Sequence, residues 1–350
     1  MVNLDGSTGE GGGQMLRTAL VWSLATMKPF RMTNLRAGRK DPGLKTQHVR
    51  VLESLRLLGP VQFTGATVGS DRVTFAPAPL RGTSARIDIG TAGSITLLLQ
   101  TVLPAALLAE GASRLEIVGG TDVQWSPPFD YLREVVLPSA GLGSDDLTLD
   151  VLRRGFYPPG GGRVVLQTRR DAKRPGRFRV AARPEERGAL ERIRILSYAS
   201  ESLRERQVAE RLTQAAARRL RACAVPVEES VTYGDAPSAG CVLTCVAHFA
   251  GGARLGGSAL GERGTPAEKI GELAADRLLH EMESDGCVDE YAADQLIVWL
   301  ALAGGVVLAS EISEHTRTNI WVTEEFLGRV FEIEGKRIRC LAPFVPPSIP

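Results

Sequence analysis

The chain has 350 residues, is 43% hydrophobic and 23% charged, and carries a formal net charge of +2 at pH 7. This is room for about two domains with the make-up of an ordinary soluble globular protein, and the near-balanced charge neither demands nor forbids a nucleic-acid partner. No apolar run reaches the length of about 18 residues that a membrane span needs, and the N-terminus lacks a basic-then-apolar signal pattern, so no membrane association and a cytoplasmic location are expected. The five cysteines, at 223, 241, 245, 287 and 340, are odd in number and widely scattered, which argues against a disulfide framework.

In chain order, the first informative stretch is Asp5-Gly6-Ser7-Thr8-Gly9-Glu10-Gly11-Gly12-Gly13, with an apolar helical run directly behind it. Glycines let backbone N–H groups approach a phosphate or another backbone, and a helix opening there adds unpaired N–H groups and a positive dipole end. Glu10 is out of place beside an anion unless a divalent cation lies between them. The alternative is a plain glycine-rich turn with an early-turn acid. The loop "GRKDPGLKTQH" follows. With Arg36 just upstream it gathers Arg36, Arg39, Lys40, Lys45 and His48, as either a phosphate-binding cluster or a solvated basic loop.

The glycine-to-helix theme recurs. Gly90-Thr91-Ala92-Gly93-Ser94 opens the apolar run 95–108, and Glu290-Tyr291-Ala292-Ala293-Asp294-Gln295 opens the run 296–303. Each run leads into a strand-like stretch and then a second helix or loop. Paired short strands close each unit, at 61–66 with 71–76, 147–153 with 163–168, and 329–333 with 337–341. Three such units predict three packed α/β modules. The first two begin about 80 residues apart and the third about 200 after the second, so material is inserted between 186 and 283. It contains alternating apolar stretches and helical runs at 203–222 and 265–282. The predicted fold class is therefore α/β (α+β): a large domain of three modules of helix, strand, helix and hairpin at 1–185 and 284–350, and a smaller α/β domain inserted at 186–283. The basic stretch "TRRDAKRPGRFR" before the insertion reads as a solvated loop rather than an RNA contact.

Of the four histidines, His280 reads as a surface residue and His248 as part of a strand. In that strand, "CVLTCVAHF", Cys241 and Cys245 read as small core residues on one face in preference to a metal site. His315 lies in "SEISEHTRTN" behind the apolar strand 306–309, and strand ends are where α/β modules carry functional side chains. An imidazole there serves as base, metal ligand or nucleophile, or is simply a loop residue. There is no G-x-x-x-x-G-K-[ST] phosphate loop, no dinucleotide-binding βαβ unit, no zinc-finger spacing and no buildable Ser-His-Asp triad.

Eight segments, "DGSTGEGGGQMLRTAL", "RAGRKDPGLKTQH", "GTAGSITLLLQTVLP", "GGTDVQWSPPFDY", "RRGFYPPGGG", "ERQVAERL", "EYAADQL" and "SEISEHTRTN", together resemble the RNA 3′-terminal phosphate cyclase family. They occur in that family's order and span nearly the whole chain, and the resemblance implies a fold of three tandem βαβαββ-type modules plus one inserted α/β domain. The resemblance implies ATP-dependent conversion of an RNA 3′-phosphate into a 2′,3′-cyclic phosphodiester, with ATP and a 3′-phosphorylated RNA as partners. By the same resemblance His315 is the nucleophile that takes up AMP. Tyr291, Ala292, Ala293, Asp294 and Gln295 form the nucleotide-binding segment. Tyr291 would stack on adenine with Pro127 on the other face, Tyr131 is an aromatic of the same pocket, and Gln100 is a nucleotide contact. Glu10 would stand near the triphosphate with Mg²⁺ or Mn²⁺, and Arg17, Arg39 and His48 would neutralise phosphate charge. Thr46, Trp125 and Ser126 depart from the commoner pattern. The competing readings are a non-catalytic cyclase-like ribosome-assembly protein, which lacks the histidine and the nucleotide segment, and an ATP-dependent transferase acting on a small molecule. An exposed sheet edge would allow two copies to pair as a homodimer.

Overall fold

A four-residue strand, β1 (Val2–Asp5), delivers the chain to the glycine run, and α1 (Gly13–Thr26) follows at once. The structure is a computed structural model that describes residues 1–169 and 187–345. Most of the basic stretch 168–179 therefore lies outside the described residues.

Eleven of the fourteen residues of α1 are buried, because its sequence is apolar all round. It continues into β2 (Phe30–Thr33), α2 (Thr46–Leu55), β3 (Gln62–Thr64) and β4 (Val73–Ala76). The four strands form one sheet in the order β1-β2-β4-β3, parallel between β1 and β2 and antiparallel elsewhere. The parallel pair needs a crossover, and α1 supplies it.

The plan repeats. β5 (Ser84–Asp88), α3 (Ile95–Leu108) and β6 (Arg114–Gly119) lead into a helical rod of α4 (Phe129–Tyr131), a π turn (Leu132–Val136) and α5 (Leu137–Ser139). β7 (Leu147–Arg153) and β8 (Gly162–Thr168) then close the sheet β5-β6-β8-β7, with the same pattern of directions. The third unit is α8 (Glu290–Ala303), β13 (Gly305–Leu308), α9 (Glu314–Leu327), β14 (Phe331–Glu334) and β15 (Arg337–Cys340), in a sheet β13-β15-β14. Its opening strand is cut to a single parallel bridge, Val288 to Ala309. One hydrophobic core runs through all three units, from Leu4 and Trp22 through Leu98 and Ile117 to Trp299 and Ile338. The three hairpins fall where the sequence placed them, within two residues at each end.

Between the second and third units lie β9 (Leu190–Ser200), α6 (Val208–Leu220), β10 (Val227–Gly234), β11 (Cys241–Phe249), β12 (Arg254–Leu260) and α7 (Ala267–Met282). The strands form a separate sheet, β10-β9-β11-β12. Its own core joins Ile193, Leu212, Leu243, Cys245 and Leu278. All nine residues of β11 are buried, and Cys241 and Cys245 are packing residues of that core. Among the described residues no cluster of His, Cys, Asp and Glu gathers to hold a metal ion, and no helix is long and apolar enough to cross a membrane.

This sheet meets the rod at Gly256, where an added Cβ would lie 2.5 Å from a ring carbon of Tyr131. Gly256→Ala is expected to cost about 1–3 kcal/mol through overpacking, read as a lowered midpoint of denaturant unfolding. An unchanged midpoint would mean that the rod and the sheet do not bear on each other there.

Candidate active site

His315 stands in the first turn of α9, whose start is set by Ser313: the Ser313 side chain accepts a hydrogen bond from the Thr316 N–H. Its imidazole meets α1. Gln14 Nε2 donates to the His315 carbonyl at 2.8 Å, which turns the amide oxygen of Gln14 toward His315 Nδ1. An amide oxygen only accepts, so Nδ1 is the protonated ring nitrogen and Nε2 keeps its lone pair. Two further rungs tie the same helices. Thr18 Oγ1 donates to Asn319 Oδ1 at 2.6 Å, and Trp22 Nε1 donates to Thr323 Oγ1 at 2.9 Å.

The glycine run lets this packing happen. Gly9 is left-handed (φ +57°), and a side chain there would collide with the Thr318 hydroxyl of α9. That hydroxyl receives the Glu10 N–H at 3.3 Å. Gly13 lies against the His48 ring with no space for a Cβ. The backbone approach that the glycines allow is thus to this chain's own side chains.

Glu10 sits between two groups of opposite character. One oxygen pairs with Arg39. The other lies 2.9 Å from His315 Nδ1 and accepts no hydrogen bond. Arg17 donates from Nε to Gln100 Oε1 at 2.8 Å, and Gln100 Nε2 donates to Gln295 Oε1 at 3.3 Å. Gln295 in turn donates to the Tyr291 carbonyl at 2.8 Å, so one amide chain runs from Arg17 to the start of α8. Asn319 Nδ2 donates to the Asp294 carbonyl at 2.9 Å, fixing α8 against α9.

The electrostatics follow from burial first and from crowded guanidinium groups second. Burial lowers Arg17 to about 10, with Asp294 opposing and Arg36 adding to the fall. The Nε atoms of Arg36 and Arg39 are buried and have no hydrogen-bond partner. Asp294 is raised to about 7, chiefly by burial, with His315 and Arg17 pulling it back. Burial also lowers His315, against the pull of Asp294 and with the help of Arg39 and Arg17. His315 is thus neutral at pH 7 while facing cations, the state a nucleophilic imidazole needs.

Four residues behave differently from expectation. His48 is buried, its Nδ1 accepts the Lys45 N–H at 2.9 Å, and burial followed by Arg17, Arg36 and Lys45 drops it to about 3. It is a neutral helix-capping group and contributes no positive charge. Tyr131 is 3% exposed, and its hydroxyl donates to Asp289. That carboxylate also accepts the Gly256 and Ala292 N–H groups, both at 2.8 Å. Tyr131 therefore supports the start of α8 from below. Ala292 and Ala293 are fully buried and pack, while Tyr291 is 59% exposed. Pro127 is half-buried, and its carbonyl accepts the Thr96 hydroxyl at 2.7 Å.

Gln14 and Asp289 escaped the sequence reading. Gln14 had one available signal: it stands three residues before Arg17, on the same helix face. Asp289 stands directly before the nucleotide-like segment, where an N-cap residue belongs.

A family model described as RNA 3′-terminal phosphate cyclase matches residues 8–333. The chain belongs to the RNA 3′-terminal phosphate cyclase family. It is 41% identical over 337 residues to the RNA 3′-terminal phosphate cyclase of Pyrococcus furiosus, covering 96% of each chain. It is 42% identical over 341 residues to that of Thermococcus kodakarensis, covering 96% of this chain and 95% of the relative. With the cyclase of Methanosarcina barkeri the identity is 42% over 337 residues, covering 96% and 97%. Family membership makes this chain an enzyme of RNA processing, of the ATP-using ligase type.

The balance of charges around His315 has a direct readout. Its imidazole is expected to titrate below the usual 6.5, and Arg39→Gln is expected to move it back up, because Arg39 helps to hold it down. NMR titration of the ring protons checks this; a fall in the variant would contradict the assignment of charges.

Proposed function

We propose that this cyclase converts an RNA 3′-terminal phosphate into a 2′,3′-cyclic phosphodiester through a covalent histidine-AMP intermediate on His315. The observation that carries the proposal is the Gln14 clamp, which leaves Nε2 with a free lone pair on a ring that feels the charges of Arg39 and Arg17.

In the first step Nε2 attacks the α-phosphorus of ATP, the bond to the pyrophosphate oxygen breaks, and pyrophosphate departs. The ring keeps its Nδ1 proton and becomes cationic. The Gln14 amide oxygen and the Glu10 carboxylate lie against that proton and stabilise the charge. In the second step an oxygen of the RNA 3′-phosphate attacks the same phosphorus and the imidazole leaves neutral. AMP now caps the RNA phosphate as a mixed anhydride. In the third, the neighbouring 2′-hydroxyl attacks the RNA phosphate, the anhydride P–O bond breaks, and AMP leaves as the hydroxyl proton passes to it or to water. Arg17, Arg36 and Arg39 supply positive charge for the phosphates, and the buried Nε atoms of the latter two are unused donors.

Glu10 also fits a divalent cation, because one of its oxygens is buried and accepts no hydrogen bond. Mg²⁺ or Mn²⁺ there would have a single protein carboxylate and would draw its other ligands from phosphates and water, a common pattern for Mg²⁺. Such an ion would neutralise charge on the triphosphate. Tyr291, exposed on the first turn of α8, is read as the adenine platform. Residues 186–283 are read as an inserted domain, supported by their separate sheet and core.

The test uses α-labelled ATP and a divalent cation without RNA. The wild type is expected to accumulate acid-labile label and His315→Ala none. Gln14→Leu is expected to slow labelling by about 10²-fold, since the clamp that positions the ring is gone. RNA ending in a 3′-phosphate should release the label and become phosphatase-resistant. Label on His315→Ala, or equal release by a 3′-hydroxyl RNA, would contradict the proposal.

A further inference from the structure

Trp125 is 96% exposed, yet its loop is held on every side. Its backbone is left-handed (φ +64°), an uncommon state for a bulky residue that persists only where its surroundings enforce it. The enforcement is visible. Asp122 Oδ1 accepts the Phe129 N–H at 3.1 Å, and Asp122 is itself locked by the buried Arg154 at 3.1 Å. Arg154 also grips Asp130 at 2.5 Å. Within the loop, the Ser126 hydroxyl donates to the Val123 carbonyl at 2.9 Å. Gln124 Nε2 donates to Glu262 Oε1 of the 190–282 segment at 3.1 Å. An indole presented to solvent on so fixed a turn is preorganised for a flat partner.

The loop also has an address. Thr96, which holds the Pro127 carbonyl, lies one turn before Gln100 on α3, about 6 Å along the axis. Gln100 is the partner of Arg17. A small cleft beside Arg17 is lined by Gln47, His48 and Ser94, the last being the N-cap of α3. Arg17 and the loop that carries Trp125 are thus tied to the same helix, one turn apart, through Gln100 and Thr96.

We propose that Trp125 is a stacking platform for the base of the RNA's 3′-terminal nucleotide, while Arg17 and its neighbours hold the terminal phosphate. This rests on the cyclase mechanism above. A base rather than another apolar partner is indicated because the exposed Trp125 ring sits on a loop tied to the helix that also holds Arg17, and stacking on a single ring is tolerant of base identity. Adenine of ATP is assigned to Tyr291, so the two nucleotides stack on separate aromatics.

The test compares wild type, Trp125→Ala and Trp125→Phe. The alanine variant is expected to raise KM for a 3′-phosphorylated oligoribonucleotide by about 5- to 150-fold, the range that base–aromatic stacking energies imply. The phenylalanine variant should recover most of that loss. Labelling of His315 from ATP alone should keep its rate. A substrate whose terminal nucleotide lacks its base should bind the wild type as weakly as the intact RNA binds Trp125→Ala, with no further loss when the two changes are combined. Equal KM values for wild type and Trp125→Ala would overturn the proposal. So would a fall in ATP labelling that matches the loss in cyclisation, which would move the platform to adenine. Failure of the wild type to label at all would overturn the underlying mechanism instead, so the two failures are distinguishable.

Discussion

The structure depends on a polar seam between two helices that are far apart in the chain. Gln14, Thr18 and Trp22 of α1 meet His315, Asn319 and Thr323 of α9, rung by rung, with a constant separation of 301 residues. Steps of four on both helices keep all three pairs on one face and make the helices run parallel. The Thr18 and Trp22 rungs are wholly buried. Each such bond contributes only about 0.5–1.5 kcal/mol net, but losing one partner leaves a buried polar group unsatisfied at a cost of about 1–3 kcal/mol. The seam therefore specifies register more than it adds stability. A slip of either helix by one residue would strand the Trp22 indole and the Thr18 hydroxyl at once. Because His315 is the end rung, the register of the whole seam sets where its Nε2 points.

The same seam explains the division of labour among the modules. To the proposed site the first contributes Glu10, Gln14, Arg17 and the cationic loop, the second Gln100 and the loop of Pro127, and the third His315, Asp294 and Tyr291. No single module holds the site. The amide chain Arg17–Gln100–Gln295 crosses all three, and Asn319 ties α9 back to α8. Asp289 carries the second link. It caps α8 while receiving the Tyr131 hydroxyl and the Gly256 N–H, and burial raises it to about 7. Through it the start of the nucleotide-like segment rests on both the helical rod and the 190–282 sheet.

Much of this was legible from residue order. The repeated glycine-to-helix pattern, the three hairpins and the extra length between 186 and 283 correspond to the three related sheets and the fourth, separate one. His315 was visible as a lone imidazole behind an apolar strand. What stayed hidden depends on burial. His48 looks cationic among Arg36, Arg39 and Lys45, but those same neighbours and its burial keep it neutral. Tyr131 looks like a pocket aromatic, but the absence of a Cβ at Gly256 lets the sheet close over its ring. Gln14 reads as an ordinary helix residue until α9 is brought against it, a pairing across 301 residues that no local pattern encodes. The glycine run is open in the sequence between a phosphate approach and a plain turn, and in the structure its Gly9 and Gly13 give room to Thr318 and His48.

The central claim is that the α1–α9 seam holds His315 as the Nδ1–H tautomer and leaves Nε2 as the nucleophile. The most direct measurement is the ¹⁵N spectrum of the His315 ring in the free protein above pH 7, followed by the spectrum after reaction with ATP. The account predicts a protonated Nδ1 and an unprotonated Nε2 before reaction, with the phosphorus attached to Nε2 afterwards. A proton on Nε2 in the free protein, or AMP bonded to Nδ1, would contradict it.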